Sequence, residues 1–367
     1  MNQKATRKIS AAGIGRSLLY ILLMLAVLGA AWYLVPARVQ YHLMEQYSFS
    51  APGEETRVYL AAILPKDGPY QQVRNVQVSW EGEQEIIPHP AVDVHELTGT
   101  IPAGETRTAI ISYDVALRQG AARWEAPVLE FQSLPQVGIQ SKAAPIVAEA
   151  ERIAEGESRA DAYAIFAFTA SHLSYPEGTR TGGNQSALTV YNSREGGCGE
   201  FANLAVALMR AAGIPSQVVS GLALPAYPPF WSATREWGHP GGAHAWTEVH
   251  TEAGWELADP SWAARMPGIL KRLWFGRNDG SHLSYGENWE YVRLYDELTT
   301  RAEQEGALIG AMSAPMHFVA AAGTEEVRVT PSVTLRKGWD GRWALTVGVY
   351  IVMLVGIRVV ERKLKVV

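Results

Sequence analysis

The segment CGEFANLAVALMRAAGIP, residues 198–215, constrains the fold more than any other part of the chain. Phe201, Leu204, Ala205, Leu208, Met209 and Ala212 recur at helical spacing. Ala202, Val206 and Ala207 make most of the remaining circumference apolar, interrupted mainly by Glu200, Asn203 and Arg210. A helix apolar nearly all round belongs inside a core, so other elements must enclose it. Gly213 accepts the left-handed conformation that ends a helix, and Pro215 cannot continue one. SQVVSGLAL, residues 216–224, then reads as a strand.

The first residue of this helix is the single cysteine among 367 residues, and it follows Gly196 and Gly197. One cysteine cannot form an internal disulfide. Cys198 is therefore a buried inert thiol, half of an intermolecular bridge, or a nucleophile. Unpaired amide hydrogens and the positive end of the dipole at a helix N-terminus favour a thiolate. The two glycines let the backbone turn sharply and leave room for a substrate chain.

Two later segments bear on that choice. AHAWTEVH, residues 243–250, reads as a strand, and GWELADPSW, residues 254–262, as its antiparallel neighbour across a turn near TEAG. Pairing Val249 with Gly254 across a four-residue loop sets His244 directly opposite Asp259. Opposed residues have Cβ atoms about 4.5–5.5 Å apart, close enough for a carboxylate to hold an imidazole. A one-residue slip would put the two on opposite faces. Cys198, His244 and Asp259 then have distinct roles: nucleophile, proton acceptor, and the carboxylate that fixes the imidazole's tautomer and supports its charge.

GGCGEFANLAVALMRAAGIPSQVVSG, HAWTEV and GWELADPSW, in that order, resemble the core of the transglutaminase-like superfamily over residues 186–262. The resemblance implies a papain-like α+β domain and carries the family's nucleophile to Cys198, its histidine to His244 and its aspartate to Asp259. It also implies an oxyanion-binding side chain before the cysteine, for which Tyr191 is the candidate, with an ordinary packing role as the alternative. Where the family often has a small residue and then arginine after GIP, this chain has Ser216 and Gln217. That departure alters a structural ion pair and leaves the three residues intact.

Before this core, TRVYLAAILP, QVRNVQVSW and TRTAIISYDVAL alternate or cluster β-branched and aromatic residues between turn signals, the pattern of an antiparallel β-sandwich. Residues 145–175 read as two helices broken near Gly156. ENWEYVRLYDELTTRAEQEGALIGAM reads as aromatic packing and helix, and EEVRVTPSVTL as a last strand. Apolar blocks at residues 17–35 and 343–360 each approach the roughly 30 Å of a bilayer core. Lys4, Arg7, Lys8 and Arg16 precede the first, and Arg362, Lys363 and Lys365 follow the second. Cations on those sides favour two transmembrane helices with both termini cytoplasmic, although a cleaved signal peptide is the alternative at the start.

The expected fold class is thus α+β: a papain-like transglutaminase core with an N-terminal antiparallel β-sandwich and a transmembrane helix at each end. The expected organisation is a cytoplasmic N-terminus at 1–16, a span at 17–35, an extracytoplasmic sandwich at 36–138 and a catalytic domain at 139–335. A second span follows at 343–360, with a cytoplasmic tail at 361–367. With 47% apolar residues, a net charge of −5 and no basic run, the chain reads as folded and not as a nucleic-acid binder. His239, His244 and His250 match no metal motif, and His89, His95 and His282 read as surface or structural residues, so no metal or other cofactor is expected. The aromatic, proline-rich segment 224–242 reads either as a lid or substrate wall, with Trp231 and Trp237 as contacts, or as a structural loop. The expected activity is thiol acyl transfer or hydrolysis at a peptide, isopeptide or glutamine side-chain amide in a cell-envelope protein or peptide. The alternative is a non-catalytic scaffold of the same fold that binds an envelope protein or cell-wall partner.

Overall fold

The computed structural model describes residues 37–175, 185–225, 231–236, 242–307, 318–321 and 328–340, with 348 and 351. Strands β1 (Ala37–Ser50), β2 (Thr56–Pro65), β3 (Gln71–Ser79), β4 (Glu83–Pro88), β5 (Val92–Ile101), β6 (Thr106–Ala121) and β7 (Arg123–Trp124) come first. Helices α1 (Ala144–Ile153), α2 (Ser158–His172), α3 (Ala187–Ser193) and α4 (Cys198–Ala211) follow. Then come β8 (Ser216–Ala223), β9 (Ser232–Glu236), β10 (Gly242–Thr251), β11 (Gly254–Ala258), and the short helices α5 (Pro260–Ala263) and α6 (Gly268–Lys271). Strands β12 (Arg277–Asn278) and β13 (His282–Glu287), helix α7 (Asn288–Gln304), and strands β14 (Phe318–Ala321) and β15 (Arg328–Asp340) complete the order.

The N-terminal strands take the period-two pattern. In β1, Val39, Tyr41, Leu43, Glu45, Tyr47 and Phe49 are buried while the alternate residues face outward. One sheet has the order β12-β6-β1-β15-β9 with β3 also on β6, and another the order β14-β2-β5-β4. A single apolar core runs through both, with Leu43, Phe49, Leu60, Ile63, Ile111 and Val115 among its members. Strand β2 is buried along nearly its whole length, which matches its near-continuous apolar sequence.

The third sheet, β13-β8-β10-β11-β7, carries the segments singled out above. Helix α4 lies on it, packed against β10 and β8 and surrounded by α1, α2, α3 and α5. Every residue from Glu200 to Arg210 is buried, as an all-round apolar helix requires. The polar exceptions are satisfied: Arg210 donates to the carbonyls of Ser216 and Leu134, and Asn203 to that of Gln185. Gly213, at φ +78°, ends the helix, and the N–H of Ile214 returns to the carbonyl of Met209.

Residues 38–339 form one compact unit. Short strands cross the boundary expected at 138–139: β7 adds to the edge of β11, and β12 pairs with β6. Leu222, Leu224, Leu283 and Tyr285 of the later sheet belong to the sandwich core.

The expected fold class requires correction. The described chain is mostly β, because long strands such as β1, β6 and β15 take residues that a balanced α+β chain would give to helices. The transmembrane helices expected at 17–35 and 343–360 lie outside the described residues, apart from 348 and 351. Among the described residues no helix is long and apolar enough to cross a membrane. The longest, α7, has 17 residues, and it alternates apolar positions with Glu290, Arg293, Asp296, Glu297 and Arg301.

Candidate active site

Cys198 is placed by the backbone that leads to it. Ser174 pairs with residues 194–196: its N–H donates to the Arg194 carbonyl at 2.9 Å, and its carbonyl accepts from Gly196 N–H at 3.2 Å. Glu200 folds back over the helix start, accepting from Gly197 N–H at 2.9 Å and from Gln185 N–H at 3.1 Å. That carboxylate satisfies two amides and complements the helix dipole. A Cβ at Gly196 would lie 2.4 Å from the Cβ of Glu200, so only glycine fits there.

His244 and Asp259 meet, though not in the register read from sequence. The hairpin pairs Thr251 with Gly254, with Glu252 and Ala253 at its tip, rather than Val249 with Gly254. Gly254 takes φ +85°, the left-handed conformation that closes so short a turn. The last pair in β11 is Ala258 with Thr247, so Asp259 is the first residue beyond the strand. A shift of two residues keeps every side chain on its face. His244 Nε2 consequently lies 2.7 Å from Asp259 Oδ2, a diagonal rather than a direct contact.

The sequence Asp259-Pro260-Ser261-Trp262 explains how the carboxylate is held. Asp259 caps α5, with Pro260 at the first helical position. Its Oδ1 accepts from Ser261 N–H (3.0 Å), Ser261 Oγ–H (2.7 Å) and Trp262 N–H (3.2 Å). One oxygen therefore serves the helix cap and the other the imidazole. His244 sits between the rings of Trp246 and Trp262, with centroids 6.0 and 5.6 Å away.

With Nε2 directed at Asp259, the other ring nitrogen of His244 is left for Cys198, whose sulfur also receives the Ala245 N–H. The electrostatics follow from these contacts. Burial alone would push the thiol up, but the His244 contacts and the Ala245 amide outweigh it and hold Cys198 below its ordinary value. Burial would lower His244, yet the Asp259 carboxylate and the Cys198 contact raise it to about 10. Burial opposes ionisation of Asp259 too, and the two neighbouring histidines overcome that, leaving it well below the usual carboxylate range. The arrangement favours a thiolate–imidazolium pair beside a permanent carboxylate.

Two residues read otherwise from the sequence lie in this site. His282 is buried, with its Nε2 3.0 Å from the same Asp259 Oδ2. The donor atoms of His244, Asp259 and His282 lie within 4.8 Å of one another. At 2.7 and 3.0 Å the two imidazoles meet Asp259 as direct hydrogen bonds. Tyr175 is the other residue: its phenol oxygen meets the Cys198 backbone N–H. Its ring stacks near Phe201, and the Arg265 guanidinium lies 5.4 Å from its centroid. Tyr191, the residue expected near the oxyanion, instead donates to Glu149 at 3.0 Å and stacks on His172. It points away because α3 ends at Ser193, before the chain turns back toward Cys198.

Gln217, where an arginine was expected, donates to Glu248 at 2.8 Å, and Tyr70 donates to the same carboxyl at 2.7 Å. Of the segment 224–242, Ser232–Glu236 forms β9 on the edge of the six-stranded sheet, and the Trp231 carbonyl accepts from Lys337 N–H. Trp237 and His239 lie outside the described residues. His250 packs edge-on against Trp255, at 5.4 Å between ring centroids.

A family model of the transglutaminase-like superfamily matches residues 147–260, a span that contains Cys198, His244 and Asp259. An uncharacterized protein of Mycobacterium leprae (strain TN) is 34% identical over 117 residues, which cover 32% of this chain and 40% of that protein. The crystal structure of a candidate cysteine protease from Cytophaga hutchinsonii superposes with a TM-score of 0.47 at 14% identity, covering 81% of this chain and 92% of that one. A second, a candidate protease from Parabacteroides distasonis, gives 0.26 at 13% identity, covering 62% and 43%. The family match and the order of the three residues within it assign residues 147–260 to the transglutaminase-like superfamily.

Proposed function

We propose that the protein is a thiol enzyme that transfers or hydrolyses the acyl group of a peptide, isopeptide or glutamine side-chain amide through a thioester on Cys198. The observation that carries this reading is the His244–Asp259 contact at 2.7 Å, with the thiol of Cys198 on the other side of the same imidazole. The thiolate adds to the amide carbonyl, forming the S–C bond and an oxyanion. We assign the Tyr175 hydroxyl, which accepts from the Cys198 amide, as the donor to that oxyanion. His244 gives its proton to the leaving nitrogen as the C–N bond breaks, releasing ammonia or an amine. Water or a second amine, deprotonated by the now neutral His244, then displaces the thiolate. Asp259 keeps one tautomer throughout and stabilises each imidazolium.

The test is to offer the full-length chain a library of glutamine-containing and branched peptide amides. An acyl adduct on Cys198 is sought by mass spectrometry after acid quench, together with released ammonia or amine. Adducts on the wild type that disappear in Cys198→Ala support the reading. Equal product release by Cys198→Ala overturns it and leaves a scaffold of this fold.

A further inference from the structure

His282 is a buried titratable group that the reaction above does not use. It reaches Asp259 because of the strand between them. In the sheet, His282 pairs with Ala223 and His244 with Gly221, on the two sides of β8 and on one face. Gly221 has no side chain, and a Cβ there would lie 2.5 Å from the Trp246 ring and 2.1 Å from the Leu283 carbonyl. The missing side chain lets the Trp246 ring cross β8 and pack edge-on against His282 at 4.9 Å. The two imidazoles thereby converge on one oxygen, with their centroids 5.5 Å apart.

Both nitrogens of His282 face acceptors. Nε2 meets Asp259 Oδ2, an ionised carboxylate that can only accept. Nδ1 faces Asp279 Oδ1 at 3.5 Å and Ser281 Oγ at 3.4 Å. The Ser281 hydroxyl hydrogen is committed to Asp279 at 2.5 Å, so its oxygen too is left as an acceptor toward the ring. An imidazole whose two nitrogens meet only acceptors is satisfied when doubly protonated.

We propose that His282 is a positioning residue that carries a second positive charge beneath Asp259, and that this charge sets the pH range over which Cys198 and His244 are reactive. The proposal rests on the thiol-enzyme reading above. Asp259 comes to His282 from the cap of α5, Asp279 from the turn before β13, and His244 and Glu248 from β10. Trp246 and Trp262 supply the uncharged walls. Without His282 the cluster keeps its carboxylates and loses one of its two cations. Both the thiol and the His244 imidazolium then hold their protons to higher pH.

The test is the pH dependence of Cys198 alkylation by iodoacetamide in the full-length chain, which needs no substrate and reports on one thiol. His282→Gln retains an N–H donor for Asp259 but has no ring charge, whereas His282→Phe has neither. At the 5.5 Å between the two rings and an effective dielectric of about 20, the lost charge is worth about two pH units at His244; Cys198 lies on the far side of that ring, so the thiolate midpoint of His282→Gln moves up by about one pH unit. Below the wild-type midpoint alkylation falls roughly tenfold, while the high-pH plateau is kept. A His282→Gln profile that superimposes on the wild type reduces His282 to a hydrogen-bond donor and overturns the proposal. A wild-type thiol that titrates like free cysteine sinks the thiol-enzyme reading itself, independently of His282. Should His282→Gln fail to fold, nitrogen chemical shifts of labelled histidine in the wild type decide. Double protonation of His282 throughout the ionisation of Cys198 supports the proposal, and a neutral ring there refutes it.

Discussion

Asp259→Asn tests the central contact. The substitution preserves shape and keeps one oxygen for the α5 cap, but it replaces Oδ2 by an N–H₂ group that faces the N–H groups of His244 and His282. Turning the amide over merely moves the conflict to Ser261 and Trp262. The magnitude follows from His244, raised from 6.5 to about 10 chiefly by this carboxylate against the cost of burial. A folded value above the unfolded one contributes stability that is fully present below pH 6.5 and lost as pH rises through about 10. That corresponds to about 5 kcal/mol at pH 5.5 and about 3 kcal/mol at pH 7.5. Asp259 itself is depressed, so its side of the same pair is present above the ordinary carboxylate range and disappears as the pH falls well below it. The wild type should therefore exceed Asp259→Asn in Tm by roughly 5–8 °C at pH 7.5, with a wider gap at pH 5.5 and convergence in alkali and strong acid. The thiol reports in parallel: without a supported imidazolium its midpoint should rise to about 8.5 or above, so alkylation below that pH falls. Scanning calorimetry and iodoacetamide kinetics on the same samples measure both. A Tm gap independent of pH, or an unchanged thiol midpoint, would refute the ion-pair account.

Other substitutions probe the supports. Gly221→Ala puts a methyl 2.1 Å from a backbone carbonyl and 2.5 Å from Trp246, so urea unfolding should show a loss of about 2 kcal/mol or more; a neutral effect would mean that β8 is free to shift. Glu248 is pushed above the usual carboxylate range by burial, against the donors Tyr70 and Gln217. A raised carboxyl costs stability as pH climbs above its unfolded value, by up to about 1.4 kcal/mol per unit. Glu248→Gln should therefore gain on the wild type as pH rises above about 4.5 in urea titrations, and a parallel pair of curves would contradict this. Tyr175→Phe should lower kcat by roughly tenfold to a hundredfold on any amide that the wild type turns over, with KM little changed, whereas an unchanged kcat removes Tyr175 from the oxyanion.

The extent to which this site could be read from the sequence depends on how local each signal is. The α4 helix was legible because its apolar circumference and its Gly-Ile-Pro stop lie within one segment. The break between α1 and α2 near Gly156, and the extent of β2, were legible for the same reason. The hairpin register was read two residues out, since TEAG admits both a four-residue loop and the tighter turn that Gly254 closes. The error was harmless only because an even shift preserves the faces. His282 follows Asp259 by 23 residues and arrives through β13, which pairs with β8 and not with β10 or β11. No spacing rule announces such a contact. Tyr175 was similarly hidden, because the pairing of Ser174 with residues 194–196 brings it to Cys198, whereas Tyr191 is nearer in sequence and faces elsewhere.

The same distances bear on whether the site can exist without the N-terminal strands. Gln71 clamps β13 at Ser284, its amide donating to the carbonyl at 2.8 Å and accepting from the N–H at 2.7 Å, two residues beyond His282. Tyr70 bonds Glu248 on β10, Gln132 bonds Gln217 on β8, and β7 covers the outer edge of β11. Leu283 and Tyr285 bury their side chains in the sandwich core, and Tyr285 meets the Tyr113 hydroxyl at 3.1 Å. Removing the first 138 residues would expose these apolar faces and leave Glu248 without its Tyr70 donor. Each unsatisfied buried polar group costs about 1–3 kcal/mol, against a total stability of about 5–15 kcal/mol for a typical domain. A fragment of residues 139–335 should therefore show no cooperative unfolding, and its cysteine should alkylate with the pH dependence of a free thiol. Gln71→Ala in the intact chain separates the two causes, since it loosens β13 while leaving the core covered: Cys198 should keep a depressed midpoint while stability falls by about 2 kcal/mol. A fragment that unfolds cooperatively and retains the wild-type thiol midpoint would show instead that the later sheet and its helices hold the site by themselves.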